Sequence, residues 1–423
     1  MAQNKKISTS DNELRKSPEP DKPCVKLQIA ENFSAVLDKK QDLCRDTDTI
    51  DCDKDITEKV FNNYVIVKNI MKHLPWQDKF VCRSVCSLWK STVLALGKEQ
   101  LRQVDFSINL NMNAVKKGIM FKKSGEFLNL PLCALVFCNA AAISDYGTAK
   151  CLALLPHPCS PPCEKEHSTY NVAYLPLQRS ITYDNAIKKI LHSSIPFYCG
   201  FVIPLIKDVE FTTYSTPTAT EHTEELKDCL RKIAEDSVIK AIIVNVTDHY
   251  MLFLGNRNEN INENCFQDIQ PDIPFALGGC LVEDTFAYQE DMDDIIAVAN
   301  DEIPRIICKQ VSLAIFTVPK DVEVKPSFEV YSCFSKRISH YENSVALKLS
   351  CAGRQSRHDY EQNYFRQIFP DTPIAGCFGN GEFGVNYPPP KQPAGTAKKA
   401  KTEIAYDHVH SYSTVFMYFG WGR

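Results

Sequence analysis

The chain has 423 residues, 44% hydrophobic and 24% charged, with Lys+Arg 48 against Asp+Glu 52 for a net charge of -4. That length is enough for two or three domains, each with a core of its own. The small acidic excess excludes a protein built mainly to coat nucleic acid, whose mark is a strong basic balance.

Met1 to Pro20 is polar and has no apolar stretch behind a basic start, so no secretory leader is expected. The longest near-apolar run, Leu132 to Ile143, is too short to cross a bilayer. These features lead us to expect an intracellular, soluble protein with no membrane partner. Its 18 cysteines would then be reduced thiols, mostly small buried hydrophobes, and not a disulfide framework.

In chain order, residues 1–54 read as a disordered acidic and polar tail. Charge, Ser and Pro dominate, and Asp46, Asp48, Asp51, Asp53 and Asp55 follow closely. A calcium loop would need a glycine turn and a distal bidentate glutamate, and neither is there. Leu27, Ile29, Phe33, Val36 and Leu37 form a short amphipathic piece within the tail.

Residues 55–100 turn helical. Asp55 with Glu58 is a start signal. Val60, Phe61, Tyr64, Val67, Ile70, Met71 and Leu74 recur at helical steps on one face, and Pro75 stops that helix. Trp76, Phe80, Val81, Val85, Leu88, Trp89 and Val93 continue the helical pattern after the break. Three short helices this apolar exceed what a small core needs, so part of their surface is expected to meet a partner.

Residues 101–423 read as mixed α and β. Apolar runs predict strands at Leu132–Phe137, Phe197–Leu205, Val238–Val246, Phe275–Val282, Val311–Val318, Val345–Leu349, Pro373–Phe378 and Ser413–Phe419. Helical stretches lie at Tyr183–Leu191, Thr223–Ala234 and Tyr360–Phe369. The expected fold class is a small N-terminal helical part followed by a larger α+β or α/β part. Stretches 156–168, 207–222 and 284–295 read as loops, and the Pro- and Lys-rich 387–403 as a mobile loop.

Several motifs invite chemistry. His157, Cys159, Cys163 and His167 are zinc-type ligands, but they crowd one Pro-rich loop instead of forming two separated pairs, so a solvated loop is the better reading. Gly379-Asn-Gly-Glu-Phe-Gly384 has a dinucleotide-like spacing. That fingerprint needs a following helix, and Pro388–Pro390 precludes one, so the glycines read as a tight turn. Cys351 lies beside Arg354, which would favour the thiolate, with His358 or His410 as conceivable bases. No spacing rule supports a cysteine enzyme, and an ordinary thiol is expected. Glu382 and Arg354 read as a structural ion pair before a ligand clamp. Lys398, Lys399 and Lys401 read as a charged loop.

Two stretches carry a resemblance. Ile70 to Trp89, with Leu74-Pro75, Phe80-Val81 and Val85-Cys86-x-x-Trp89, resembles an F-box, although Val60-Phe61-Asn62-Asn63 replaces the usual opening Leu-Pro. Cys351-Ala-Gly-Arg354, Tyr364 to Pro370, Pro373 to Gly384 and His410 to Thr414 follow in the order of the C-terminal domain of the FIST family. Gln355 stands where a glycine is common in that family, and 387–403 is an insert.

The resemblance implies a cytoplasmic and nuclear substrate receptor of a Skp–cullin–F-box ubiquitin ligase, marking proteins for proteasomal degradation. It would have no catalytic residue, cofactor, metal or nucleic-acid partner. Phe61, Ile70, Leu74, Pro75, Trp76, Phe80, Val85 and Trp89 would bind the Skp adaptor and, through it, the cullin. The FIST-type part would hold the protein substrate, with Cys351, Arg354, Asn380, Glu382 and His410 as a substrate or ligand site. The alternative is an intracellular small-ligand sensor in which the F-box is secondary.

Overall fold

The computed structural model describes residues 54–111, 118–138, 155, 168–172, 197–216, 223–247, 266, 269–270, 273–282, 284–286, 311–320, 328–332, 338–379, 381–385, 387, 409–410 and 412–422. Helix α1 (Lys54–Phe61) belongs to an N-terminal unit, Met1–Phe61, and every other element belongs to a second compact unit, Asn62–Arg423.

The second unit begins with three helices: α2 (Tyr64–Met71), α3 (Trp76–Cys82) and α4 (Ser87–Glu99). Asn63 starts α2 by accepting the N–H groups of Val65 and Ile66 on its side-chain oxygen, at 3.0 and 3.3 Å. Pro75 precedes α3 at φ -59°, where its missing N–H interrupts no helical bond. Val67, Met71 and Leu96 form a small core, with Leu74, Cys82, Leu88, Trp89 and Val93 packed around it. The expected continuous face from Val60 to Leu74 is therefore broken. The chain leaves the helix at Asn62–Asn63, and the new cap resets the phase of the second helix.

Among the described residues, sixteen strands follow. The first five are β1 (Val104–Asn111), β2 (Gly118–Lys123), β3 (Pro131–Cys138), β4 (Ser168–Val172) and β5 (Phe197–Pro204). Then come β6 (Glu210–Thr216), helix α5 (Thr223–Asp236), β7 (Ser237–Thr247), β8 (Ala276–Val282), β9 (Asp284–Phe286) and β10 (Val311–Pro319). The last group is β11 (Phe328–Tyr331), β12 (Asn343–Cys351), a 3-10 turn (Ala352–Arg357), α6 (His358–Ile368), β13 (Ile374–Gly379), β14 (Glu382–Gly384), β15 (Val409–His410) and β16 (Thr414–Trp421).

The described strands make three sheets, ordered β2-β1-β5-β3-β4-β9, β15-β14-β8-β7-β10-β6 and β11-β16-β12-β13. Pairs β3–β4, β7–β8 and β12–β13 are parallel, and the other described pairs are antiparallel. The mixed α and β character expected from sequence is present. Among the described residues, no helix is long and apolar enough to cross a membrane.

All eight strands read from apolar runs are present, as are the helices read near 223–234 and 360–369. The expected helix at 183–191 lies outside the described residues. Two expected loops contain strands. Segment 207–222 holds β6, an edge strand on β10, and 284–295 begins with β9, on the edge beside β4. Edge strands are half solvated, so Glu210–Thr216 carries Thr and Tyr in place of a continuous apolar run.

The three sheets share one core. Leu135 and Phe137 of β3, Phe201 and Ile203 of β5, Ile243 of β7, Phe316 of β10, and Leu347, Leu349, Met417 and Phe419 of the third sheet all contribute to it. Alternate residues serve the opposite faces. Ile242, Val244 and Val246 of β7 pack with Leu226 and Leu230 of α5, and Ala346 of β12 packs with Phe365 of α6. The apolar runs are continuous because these strands are covered on both faces.

The parallel β12–β13 pair needs a crossover, which α6 supplies. Gly376 lets the two strands approach. It sits at φ +147°, and a Cβ there would lie 2.1 Å from the Lys348 carbonyl oxygen.

Candidate functional site

Among the described residues, the expected site residues gather in two places. The first is the outer surface of α2, α3 and the turn before α4. With the small helical core filled, Val65, Ile66, Ile70, Phe80, Val81 and Val85 remain exposed, Val65 at 62%. Asp78 and Lys79 of α3 are charged, but Phe80 and Val81 beside them face out.

This arrangement sorts the expected adaptor-binding residues. Ile70, Pro75, Phe80 and Val85 are exposed, and so is Phe61 on α1. Leu74 and Trp89 are half-buried around the helical core, so they hold the helices together. Trp76 is buried, and its backbone N–H donates to the Phe127 carbonyl at 3.0 Å, which turns it toward the sheets. The sequence missed Val65 and Ile66 as exposed residues, because helical spacing around Val67 does not say which flank a neighbour covers.

The second place is a buried polar cluster between β12, α6 and β16. Lys348 is a lone charge in an apolar strand and is 0% exposed. Its Nζ lies 2.8 Å from His358 Nδ1 and 3.0 Å from Glu361 Oε2. Its ammonium also stands over the Phe378 ring, 5.5 Å from the centroid. Arg354 Nε donates to Glu361 Oε1 at 2.7 Å, and a second guanidinium nitrogen bonds the same oxygen. Thr414 Oγ1 donates to Glu361 Oε2 at 2.9 Å and lies 2.7 Å from the Ser350 hydroxyl. One carboxylate thus holds a lysine, an arginine and a hydroxyl.

The electrostatics follow from burial and neighbours. Burial lowers the Lys348 pKa, and Glu361 opposes that fall. Burial pushes Glu361 up, but Lys348, Arg354 and Thr414 outweigh it and hold the carboxyl below the usual range. His358 is lowered to about 4, first by burial and then by the Lys348 charge, so it is neutral near pH 7. An imidazole accepting at Nδ1 from an ammonium carries its proton on Nε2.

Glu382 lies beside this cluster and is 0% exposed. Its Oε2 accepts the Ser413 N–H at 3.1 Å and the Ser413 hydroxyl at 2.7 Å, while its Oε1 has no hydrogen-bond partner. Burial raises its pKa despite Ser413, Arg354 and the Cys351 thiol. Cys351 is half-buried, and Cys377 and Cys280 are buried. Burial, with Cys377 hydrogen-bonded beside it, pushes the Cys280 thiol well up, so it is an inert hydrophobe near neutral pH.

Arg354 thus bonds Glu361, not the expected Glu382. Its Nη1 also donates to the Tyr412 carbonyl at 3.1 Å, and its guanidinium stacks 5.3 Å from the Tyr412 ring centroid. His410 lies on β15 opposite Glu382 in the strand register. Asn380 and the His157, Cys159, Cys163, His167 set lie outside the described residues. Sequence reasoning overlooked Lys348 and Glu361, though a lysine inside Val345–Leu349 was the available signal.

Chemically the cluster is a saturated polar clamp. It pins α6 to β12 and β16, and its lysine and imidazole are committed to each other. No protein-family model matches the chain, and no curated protein matches it.

Proposed function

We propose that this chain is a non-catalytic substrate-recognition subunit of a Skp–cullin–F-box type ubiquitin ligase, with residues 55–100 as the adaptor-binding F-box and residues 101–423 as a FIST-type substrate-holding part. The exposure of Ile66, Ile70, Phe80, Val81 and Val85 beside an already filled helical core supports this reading most directly. Apolar side chains on short helices are the anchors that a helical partner buries. The F-box and FIST resemblance supplies the partner's identity. A receptor of this kind needs no reactive group of its own, because tethering a target beside the ubiquitin donor makes transfer effectively intramolecular.

The test is co-purification of the full chain with a Skp adaptor, beside an Ile70→Asp, Val85→Asp double variant. Leu74 and Trp89 are unsuitable, because changing them damages the helical core. The expected result is a stable complex with the unchanged chain and none with the variant, the two having the same melting temperature. An unchanged chain that is folded but takes up no adaptor, or a variant that binds equally well, would overturn the proposal.

A further inference from the structure

A cavity of about 490 Å³ opens where α3 and α4 meet the loops that flank β3 and β5. Its walls include Trp76, Leu94, Leu128, Leu130, Leu205 and Ile206. That volume and apolar lining are those of a small-molecule site.

The charged side chains that line it are all of one sign, although Lys207 is paired with Asp208 at 3.6 Å. Lys79, Arg83, Lys98 and Lys207 line the cavity, and no Asp or Glu does. Lys79 is the unusual member, a lysine only 4% exposed. Its Nζ donates to the Leu128 carbonyl at 2.7 Å and to the Gln100 side-chain oxygen, both neutral acceptors. Burial uncompensated by a carboxylate lowers its pKa to about 8. A buried cation ordinarily has a counter-charge, and here none lies among the lining residues.

Trp76 on the cavity wall is buried, and its ring adds to the apolar lining.

We infer that this cavity binds a single-chain amphipathic carboxylate, which accepts from Lys79 and whose tail lies along Leu94, Leu128, Leu130, Leu205 and Ile206. Arg83 and Lys98, also lining the cavity, draw the anion in. The bound molecule neutralises Lys79 and fills space that the side chains leave open. It also bridges the helices to the sheets, adding to the contacts that Asn129 makes with the carbonyls of Gly97 and Gln100.

The test uses the full chain and dodecanoate below its micelle concentration, with dodecanol, dodecyltrimethylammonium and acetate as controls. Titration calorimetry should show saturable one-to-one binding of dodecanoate. Dodecanol, the same tail without charge, should bind about tenfold more weakly or worse, since a charged hydrogen bond is worth that much. The ammonium amphiphile and acetate should not bind. Lys79→Gln should weaken dodecanoate about tenfold or more. Leu205→Trp is the second variant, because Leu205 lines the cavity and is 42% exposed, so a larger side chain there takes up cavity space while Lys79 is kept. It should abolish binding at an unchanged melting temperature. Absence of saturable dodecanoate binding, equal binding of dodecanol, or full affinity in Leu205→Trp would overturn the inference.

Discussion

Replacing Glu361 with glutamine should destabilise the protein by about 3–5 kcal/mol at pH 7, the usual penalty for removing one partner of a buried ion pair. The structure gives a comparable figure by a second route. Lys348, enclosed beside His358 and Phe378, can escape a lost counter-charge by deprotonating. From a reference pKa near 10.4, that costs about 4.6 kcal/mol at pH 7. At pH 9 the same escape costs about 1.9 kcal/mol, so the penalty should shrink with rising pH. Arg354 loses the same partner but is only half-buried and keeps its bond to the Tyr412 carbonyl, so it adds less.

The assay is thermal unfolding of the unchanged chain and Glu361→Gln at both pH values. At roughly 2 °C per kcal/mol for a unit of this size, the midpoint should fall about 6–10 °C at pH 7. At pH 9 the fall should be about half of that or less. Lys348→Met combined with Glu361→Gln should recover part of the loss, because no stranded charge remains. A fall of under about 2 °C at pH 7, or an equal fall at both pH values, would refute the view that Lys348 is held charged by Glu361.

Two further outcomes are expected. His358, lowered from 6.5 to about 4 in the fold, binds its proton less readily there than in the unfolded chain. Its contribution is complete above about pH 6.5 and is lost as pH falls toward 4, by up to about 3 kcal/mol. The slope of melting temperature against pH in that window should flatten in His358→Asn, and an unchanged slope would argue against the assignment. Gly376→Ala should cost more than about 3 kcal/mol, because the new methyl meets the Lys348 carbonyl at a backbone angle L-residues avoid. Soluble variant protein melting within about 2 °C of the unchanged chain would contradict it.

Much of the fold is legible in the chain alone, because local patterns have local causes. The eight apolar runs become strands since burial on both faces demands continuous apolar side chains. Helix α6 follows from its period: His358, Glu361, Gln362, Phe365 and Ile368, at helical steps, all turn inward. Edge strands escape this reading. Glu210–Thr216 is half solvated, and its place is set by partner β10, about a hundred residues away in sequence.

The site divides along the same line. Sequence alone determined that 60–93 is too apolar for its own small core, but its pairing of Arg354 with Glu382 gives way to Arg354 with Glu361. Only the tertiary structure decided that Arg354 bonds Glu361, that Trp76 turns to the sheets while Val65 and Ile66 stay outside, and that Lys79 and Lys348 are buried. These are choices of partner between segments far apart along the chain. Residue type and period fix how a side chain faces its own element, but they carry no information about which distant group the folded chain brings to meet it.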